Sequence, residues 1–141
     1  MRCQEIMKSE LECAGPGDTL QDAAKRMRDC NVGFLPVCDG AGKVIGTLTD
    51  RDIAIRGVAQ GRSATAAAED IMTRDLVSCR PQDDLETAER LMGSNQKSRI
   101  LCIDDSGQLC GIISLSDLAR HSPGPRASQT LRRVTEREAR I

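Results

Sequence analysis

The sequence predicts a mixed α/β protein (α+β) that consists of two β-α-β-β-α repeats. The main observation is an internal duplication: when the chain is shifted by 65 residues onto itself, 13 identities fall between positions 6 and 54 without a gap. Average composition supplies roughly three identities over such a window. The second observation is the composition, 39% hydrophobic and 29% charged, which is typical of a globular chain. A duplication of this length indicates two structural copies of one unit.

The first half of each repeat predicts a short helical start, a short strand and a helix. EIMKS and DIMTR are the helical starts, and the strands lie near Leu11–Cys13 and Leu76–Cys79. An Asp-Thr pair at 18–19 and an Asp-Asp pair at 83–84 are N-cap candidates for the helix that follows. Its apolar stripe has helical spacing in both copies. The stripe residues are Leu20, Ala23, Ala24 and Met27 in the first copy and Leu85, Ala88, Leu91 and Met92 in the second.

The second half of each repeat predicts a β-hairpin and a second helix. The apolar runs VGFLPVCD and KVIGTLT flank GAG, and the runs SRILCID and QLCGIIS flank DSG. Short apolar runs around a glycine-containing turn are typical of hairpins. The second helix begins near Asp50 in the first copy and near Leu115 in the second.

These elements give the predicted domain boundaries. We expect repeat 1 at residues 1–60, a linker at 61–68, repeat 2 at 69–121 and a basic tail at 122–141. The tail carries five Arg and two Glu, and its apolar stripe is thin, with Leu131, Val134 and Ile141. A solvated helix or a frayed end is the favoured interpretation of the tail, and a docking role is the alternative.

Composition argues against several classes of function. The net charge of −1 gives no field that would attract nucleic acid or an anionic membrane, so we expect neither partner. No apolar run reaches the length of a membrane span and the first ten residues lack a signal-peptide core, so we expect a cytoplasmic protein. Phe34 is the lone aromatic residue, which excludes stacking on nucleic-acid bases as a main mechanism.

Seven cysteines are the most unusual feature of the composition. Their number is odd, no two are spaced C-x-x-C, and His121 is the only histidine. A tetrahedral zinc site needs close ligand pairs that this sequence lacks, so we expect no metal. Buried, reduced thiols are the favoured interpretation, and a redox or metal role is the alternative. A cysteine-dependent enzyme is disfavoured because a nucleophile usually needs a neighbouring base, so we expect no catalytic residues.

A glycine, a hydroxyl and an aspartate recur at the same spacing in both copies. The triplets are Gly46, Thr49 and Asp52 in the first copy and Gly111, Ser114 and Asp117 in the second. A capping box at a helix start explains the hydroxyl and the carboxylate. The set also suits a phosphorylated ribose, because helix N–H groups and a hydroxyl bind phosphate, a carboxylate accepts from ribose hydroxyls, and glycine lets a ligand approach the backbone. The residues alone leave both interpretations open.

Several motifs in register resemble a known family. The motifs that carry the resemblance are the two triplets, the strand motif GFLPV, the openings EIM and DIMT and the run TDRDIAIRGVAQG. The chain resembles a tandem pair of cystathionine-β-synthase-type (CBS) domains, a Bateman module, of the stand-alone bacterial type. The resemblance covers about residues 1–121. It implies repeats packed sheet to sheet with pseudo-two-fold symmetry around two clefts. It also implies a regulatory module, not an enzyme, whose candidate effector is AMP, ADP, ATP or a related adenosyl ligand, with no obligatory cofactor.

The resemblance assigns ligand-binding residues to each cleft. Thr49 or Ser114 would contact phosphate, and Asp52 or Asp117 the ribose hydroxyls. Arg51, Lys97 and Arg99 are phosphate-binding candidates for which a structural role is equally open. The adenine-binding positions would be Cys13, Ala14, Gly33, Phe34, Leu35 and Pro36 in the first cleft and Ser78, Cys79, Ser98, Arg99, Ile100 and Leu101 in the second.

Both clefts depart from the family pattern. Leu101 stands where the family strand often has proline, Ser98 replaces the glycine of the first copy, and Cys13 replaces the hydroxyl of Ser78. One occupied cleft and one empty cleft is therefore an expected outcome.

The resemblance also suggests a homodimer in which amphipathic helices pack together. The alternative is that their apolar and small residues all serve the core of one chain. These residues are Ala23, Ala24, Met27, Ile53, Ala54, Ala88 and Met92. The sequence favours a sensor that acts in trans on a partner protein, and a ligand-free homodimeric scaffold is the alternative.

Overall fold

The chain forms two compact units, each with a β-hairpin and helices. A computed structural model describes residues 1–140 and the side chains of residues 1–138. The contiguous unit is Glu12–Leu76, and the split unit combines Met1–Leu11 with the chain from Val77 onward. The predicted mixed α/β class is confirmed.

The elements follow the same order in both copies, except that the first copy lacks the strand before its long helix. The helices are α1 (Cys3–Ile6), α2 (Leu20–Cys30), α3 (Asp50–Asp52), α4 (Leu85–Asn95), α5 (Leu115–His121) and α6 (Arg126–Thr135); the strands are β1 (Phe34–Cys38), β2 (Val44–Thr49), β3 (Ser78–Cys79), β4 (Arg99–Ile103) and β5 (Leu109–Ser114). A π-helical segment, Ile53–Val58, continues α3, and 3-10 turns lie at Ala68–Asp70 and Glu136–Arg140. The second helix of each copy begins where the sequence predicted it, at Asp50 and Leu115.

In the contiguous unit, α2 packs its apolar stripe on the hairpin of β1 and β2. The helix starts after Thr19, whose Oγ1 accepts the backbone N–H of Asp22 at 3.0 Å. The hairpin is antiparallel and pairs Phe34 with Thr49. Asp39 shapes its turn, because its Oδ1 accepts two backbone N–H groups of that turn. The core consists of Ala14, Leu20, Ala23, Met27, Leu35, Val37, Leu48, Ala68, Ile71 and Met72.

The split unit repeats this arrangement and adds a strand. Its sheet has the order β3-β4-β5, with β3 parallel to β4 and β4 antiparallel to β5. Helix α4 starts after Asp84 and ends at Asn95, and the next residue, Gln96, has a left-handed backbone with φ of 53°. The core consists of Cys3, Cys79, Leu85, Ala88, Met92, Ile100, Cys102, Ile113, Leu118 and Val134.

The strand predicted near Leu11–Cys13 does not form. One isolated parallel bridge, between Ala14 and Val37, stands in its place. The residues that follow are Gly-Pro-Gly, which turns the backbone away before a ladder can develop. In the second copy the predicted strand is present but short, because β3 has only two residues. The helical starts lie slightly earlier than predicted, and the second of them is a 3-10 turn.

Each unit contains the opening segment of the other sequence repeat. In the split unit, Lys8 exchanges two backbone hydrogen bonds with Ile112, at 2.9 and 3.0 Å. In the contiguous unit, Thr73 exchanges two with Thr47, both at 2.9 Å. These pairs occupy equivalent positions, because both members differ by 65 residues. The compact units therefore do not coincide with the sequence repeats.

Helix α6 of the C-terminal tail is docked, not solvated or frayed. Helix α6 lies on α4 and α5, and Val134 is fully buried in the core of the split unit. Leu131 stays 47% exposed, and Ile141, the third residue of the predicted stripe, lies outside the described residues. The docked interpretation, which the sequence did not favour, is thus correct for α6.

A buried ion pair fixes the start of α6. Glu89 of α4 is 7% exposed, and Arg126 donates to both of its carboxylate oxygens, at 2.9 and 3.0 Å. Ser122 donates a third hydrogen bond at 2.7 Å. A buried carboxylate needs partners of this kind, because desolvation of an unpaired charge is costly.

We expect Arg126→Gln to lower the free energy of unfolding by about 3 kcal/mol, because it leaves Glu89 buried without a cation. Urea denaturation checks this. Arg132→Gln is the matched control, since it removes an exposed arginine from the same helix. Equal denaturation midpoints for the two variants would contradict the docked arrangement of α6.

Candidate functional site

The first triplet forms a reciprocal capping box at the start of α3. Oγ1 of Thr49 accepts the N–H of Asp52 at 3.0 Å, and Oδ2 of Asp52 accepts the N–H of Thr49 at 3.0 Å. The capping interpretation is therefore correct. Among the described residues, no hydrogen bond or ion pair reaches Oδ1 of Asp52, and this side chain is only partly buried. One carboxylate oxygen thus remains available to accept from a ligand.

The second triplet caps α5 in the same way but is more enclosed. Oδ2 of Asp117 accepts the N–H of Ser114 at 2.9 Å and its hydroxyl at 3.0 Å, and Asp117 is 4% exposed. The ammonium of Lys8 lies 3.8 Å from the other oxygen, Oδ1. The equivalent position in the contiguous unit is Thr73, which carries no charge. A ligand hydroxyl that binds Asp117 would therefore share this carboxylate with Lys8. At Asp52 the equivalent position carries no cation.

The glycines of the triplets have a packing role. A Cβ at Gly46 would lie 2.5 Å from Sδ of Met72 and 3.0 Å from the carbonyl oxygen of Thr73. A Cβ at Gly111 would lie 2.6 Å from Sδ of Met7. The structure thus replaces the expectation that these glycines clear space for a ligand: each makes room for a methionine of an opening segment. The repeated Ile-Met pair and the repeated glycine were both visible in the sequence, but their contact was not.

The start of β1 lies beside the first capping box. Gly33 accepts the N–H of Asp50 at 3.0 Å, and Phe34 pairs with Thr49 across the hairpin. The equivalent start of β4 lies beside the second box. There Ser98 accepts the N–H of Leu115 at 3.0 Å. Each unit therefore brings together its capping box and its predicted strand start.

The remaining predicted adenine-binding residues divide by burial. Partly or fully exposed side chains are Cys13, Phe34, Ser78, Ser98 and Arg99, together with Arg51 and Lys97. Buried side chains are Ala14, Leu35, Pro36, Cys79, Ile100 and Leu101. The N–H of Ala14 already donates to Pro36, at 2.8 Å. The buried side chains form part of the two cores, and the exposed ones are accessible to a ligand.

Arg137 is a residue that the sequence did not indicate. Its Nη2 donates to Oγ of Ser98 at 2.9 Å, and its Nη1 donates to the carbonyl of Gln96. The side chain comes from the 3-10 turn after α6, so it reaches the strand start only because the tail is docked. No motif carried a signal for this contact.

The thiols are free, and three of them touch in the core of the split unit. Sγ of Cys79 lies 3.7 Å from Sγ of both Cys3 and Cys102. Hydrogen bonds with Cys3 and Cys79, together with burial, raise the pKa of the Cys102 thiol, which keeps this thiol protonated at neutral pH. In the contiguous unit, burial followed by contact with Cys13 raises the pKa of Cys38 to about 12.

In the part of the chain that the structure describes, no group of three or more His, Cys, Asp and Glu is arranged to hold a metal ion. Within the same residues, no helix has the length and apolar character needed to cross a membrane.

Comparison with known proteins identifies relatives of both repeats. The sequence profile of the family described as CBS domain matches residues 3–57 and 68–124. The CBS domain-containing protein YhcV of Bacillus subtilis (strain 168) is 40% identical over 116 residues, which are 82% of this chain and 81% of that protein.

Solved structures with this fold include proteins with bound groups. The crystal structure of Hypoxic Response Protein I with two coordinated zinc ions has a TM-score of 0.78 and 32% identity, covering 87% of this chain and 100% of that one. The CBS domain pair of protein MJ0100, in complex with 5′-methylthioadenosine and S-adenosyl-L-methionine, has a TM-score of 0.77 and 26% identity, covering 85% and 94%.

We expect Gly46→Ala to lower the free energy of unfolding by about 1–3 kcal/mol, because the added Cβ overlaps Met72. Urea denaturation measures the change. Gly17→Ala is the control, since a Cβ there would have no neighbour within 4 Å. In a Met72→Ala background the cost of Gly46→Ala should shrink, and an undiminished cost would show that the methionine is not its cause.

Proposed function

Since this chain belongs to the CBS domain family, with two copies in tandem, we propose that it is a regulatory module that binds an adenosyl ligand and acts on a partner protein. It has no catalytic role in this proposal. The cytoplasmic location stays a prediction from the sequence. A related pair of domains, that of MJ0100, holds two adenosyl compounds and covers 85% of this chain, which supports the ligand class.

The observation that carries the proposal is the duplicated grouping of a capped helix start and an accessible strand start. In the contiguous unit, Thr49 and Asp52 lie beside Gly33 and Phe34. The Thr49 hydroxyl can still donate its hydrogen to a phosphate, and Oδ1 of Asp52 can accept from a ribose hydroxyl. The backbone N–H groups of residues 49–52 already donate within the unit. In the split unit, Ser114 and Asp117 form the equivalent capping box beside the strand start, but the Ser114 hydroxyl there donates to Asp117.

A ligand-free scaffold is the second candidate. It is favoured by the capping boxes themselves, because they engage the hydroxyl oxygen and one carboxylate oxygen of each triplet without any ligand. In that function the two repeats would serve assembly only.

A homodimer is part of both proposals. Four of the seven helix residues that suggested it are in the core of a single chain: Ala23, Met27, Ala88 and Met92. The intramolecular alternative therefore accounts for these four. Ala24 and Ala54 remain exposed, and Ile55 and Val58 nearby are 51% and 75% exposed. We propose that the dimer contact uses this face of α2 and the segment Ile53–Val58.

Thermal denaturation with AMP, ADP, ATP, NAD and S-adenosylmethionine, each at about 1 mM, tests ligand binding. A ligand present at a hundred times its dissociation constant adds about 2.7 kcal/mol of stability. We expect at least one of these compounds to raise the melting temperature. If none does, the scaffold is the better description.

Asp52→Asn and Asp117→Asn test the ribose assignment, because an amide keeps an acceptor for the cap but loses the carboxylate. Each should abolish the ligand response of its own site. Asp22→Asn is the matched control: Asp22 forms the same reciprocal box with Thr19, far from either triplet in sequence. A double variant of Asp52 and Asp117 that kept the full ligand response would refute the assignment.

A further inference from the structure

Positions 65 residues apart carry different charges around the two proposed sites. Where the contiguous unit has Val32 and Phe34 around its glycine, the split unit has Lys97 and Arg99 around Ser98. Arg99 pairs with the capping residue Ser114 across the hairpin, as Phe34 does with its own capping residue. The split unit thus has two cations on the strand start where the contiguous unit has apolar side chains.

Two further cations reach the site of the split unit from distant parts of the sequence. Arg137 donates to Oγ of Ser98 at 2.9 Å, and Lys8 lies 3.8 Å from Asp117. Arg137 also lies 3.9 Å from the carboxylate of Glu138, in an exposed pair that solvent screens. Lys8 is 64% exposed, so its ammonium is free to turn from Asp117 to an incoming anion. The strand start and the capping box of the split unit therefore have four cations on or beside them.

The contiguous unit places an acid at the equivalent corner. Asp50 occupies the position of Leu115, and a Cβ at Gly33 would lie 2.7 Å from its Oδ2. This carboxylate therefore lies directly against the strand start. Its Oδ1 accepts the N–H of Arg51 at 2.8 Å. With Asp52, the corner has two carboxylates, and Arg51 is the cation among the residues assigned to it.

We propose that the two sites select adenosyl ligands of different charge. The site of the split unit takes a phosphorylated adenosyl ligand, and the site of the contiguous unit takes an uncharged or cationic one, such as a thioether or a sulfonium. The inference rests on the proposed function. A phosphate gains attraction from Lys97, Arg99 and Arg137, whereas Asp50 repels it and attracts a cation.

Isothermal titration calorimetry with ADP and with 5′-methylthioadenosine tests the selection. We expect Asp117→Asn to abolish ADP binding and leave 5′-methylthioadenosine binding intact. Asp52→Asn should have the opposite effect. The affinity for ADP should fall as salt is raised, and that for 5′-methylthioadenosine should not.

Variants that remove a single charge test which residues cause the ligand selection. Arg137→Gln should weaken ADP about tenfold, because a hydrogen bond to a charged group is lost. It should leave 5′-methylthioadenosine unchanged. Arg132→Gln removes the same charge from the preceding helix without a contact to Ser98, so it should change neither affinity. Asp50→Asn should let ADP bind at the contiguous unit, seen as a second ADP equivalent.

The outcomes separate this inference from the proposed function. If both compounds bind but compete for one site, or if ADP is lost in Asp52→Asn instead, the charge selection is wrong while the regulatory module stands. An Arg137→Gln variant with unchanged ADP affinity would also overturn it. If neither compound nor any other adenosyl ligand binds, both the selection and the proposed function fail.

Discussion

The contact between a methionine and a bare glycine backbone fixes the geometry of each unit. Met72 lies on Gly46, and Met7 lies on Gly111, at distances that leave no room for a Cβ. This close approach lets the opening segment add two backbone hydrogen bonds to the edge of the hairpin. The hairpin in turn positions the capped helix start, whose capping residue lies three residues after the glycine. The triplet spacing therefore combines a packing requirement with a capping requirement, and any ligand function uses what remains exposed.

What remains exposed differs between the copies. Among the residues that the structure describes, Oδ1 of Asp52 has no partner, whereas Asp117 is nearly buried with Lys8 beside it. The two units share a backbone framework but have diverged in the charges around it. Equivalent backbone positions thus create similar groups of hydrogen-bonding atoms, while side chains of the strand starts, the helix start, the tail and the opening segment determine the electrostatics.

Much of the fold follows from the sequence, because the repeat doubles every local signal. The hairpins, the helices α2 and α4 and the starts at Asp50 and Leu115 are all local patterns of period or turn chemistry. The strand near Leu11–Cys13 failed because Gly-Pro-Gly follows at once and outweighs a short apolar run. Contacts between distant segments, such as Arg137 with Ser98, have no local signal. The apolar stripe left docking of the tail as an alternative, but it did not indicate which cations the tail would bring to the site.

Each unit contains the opening segment of the other sequence repeat, and this arrangement sets the order in which the two units can fold. The contiguous unit has all of its parts within residues 12–76, so it can complete its core before the rest of the chain leaves the ribosome. The split unit cannot, because Cys3 must meet Asp84, 81 positions later in the chain. The opening segment of the split unit therefore stays unpaired while the contiguous unit folds. Such a late, long-range closure slows folding, since loop-closure entropy is lost before the contacts that offset it form.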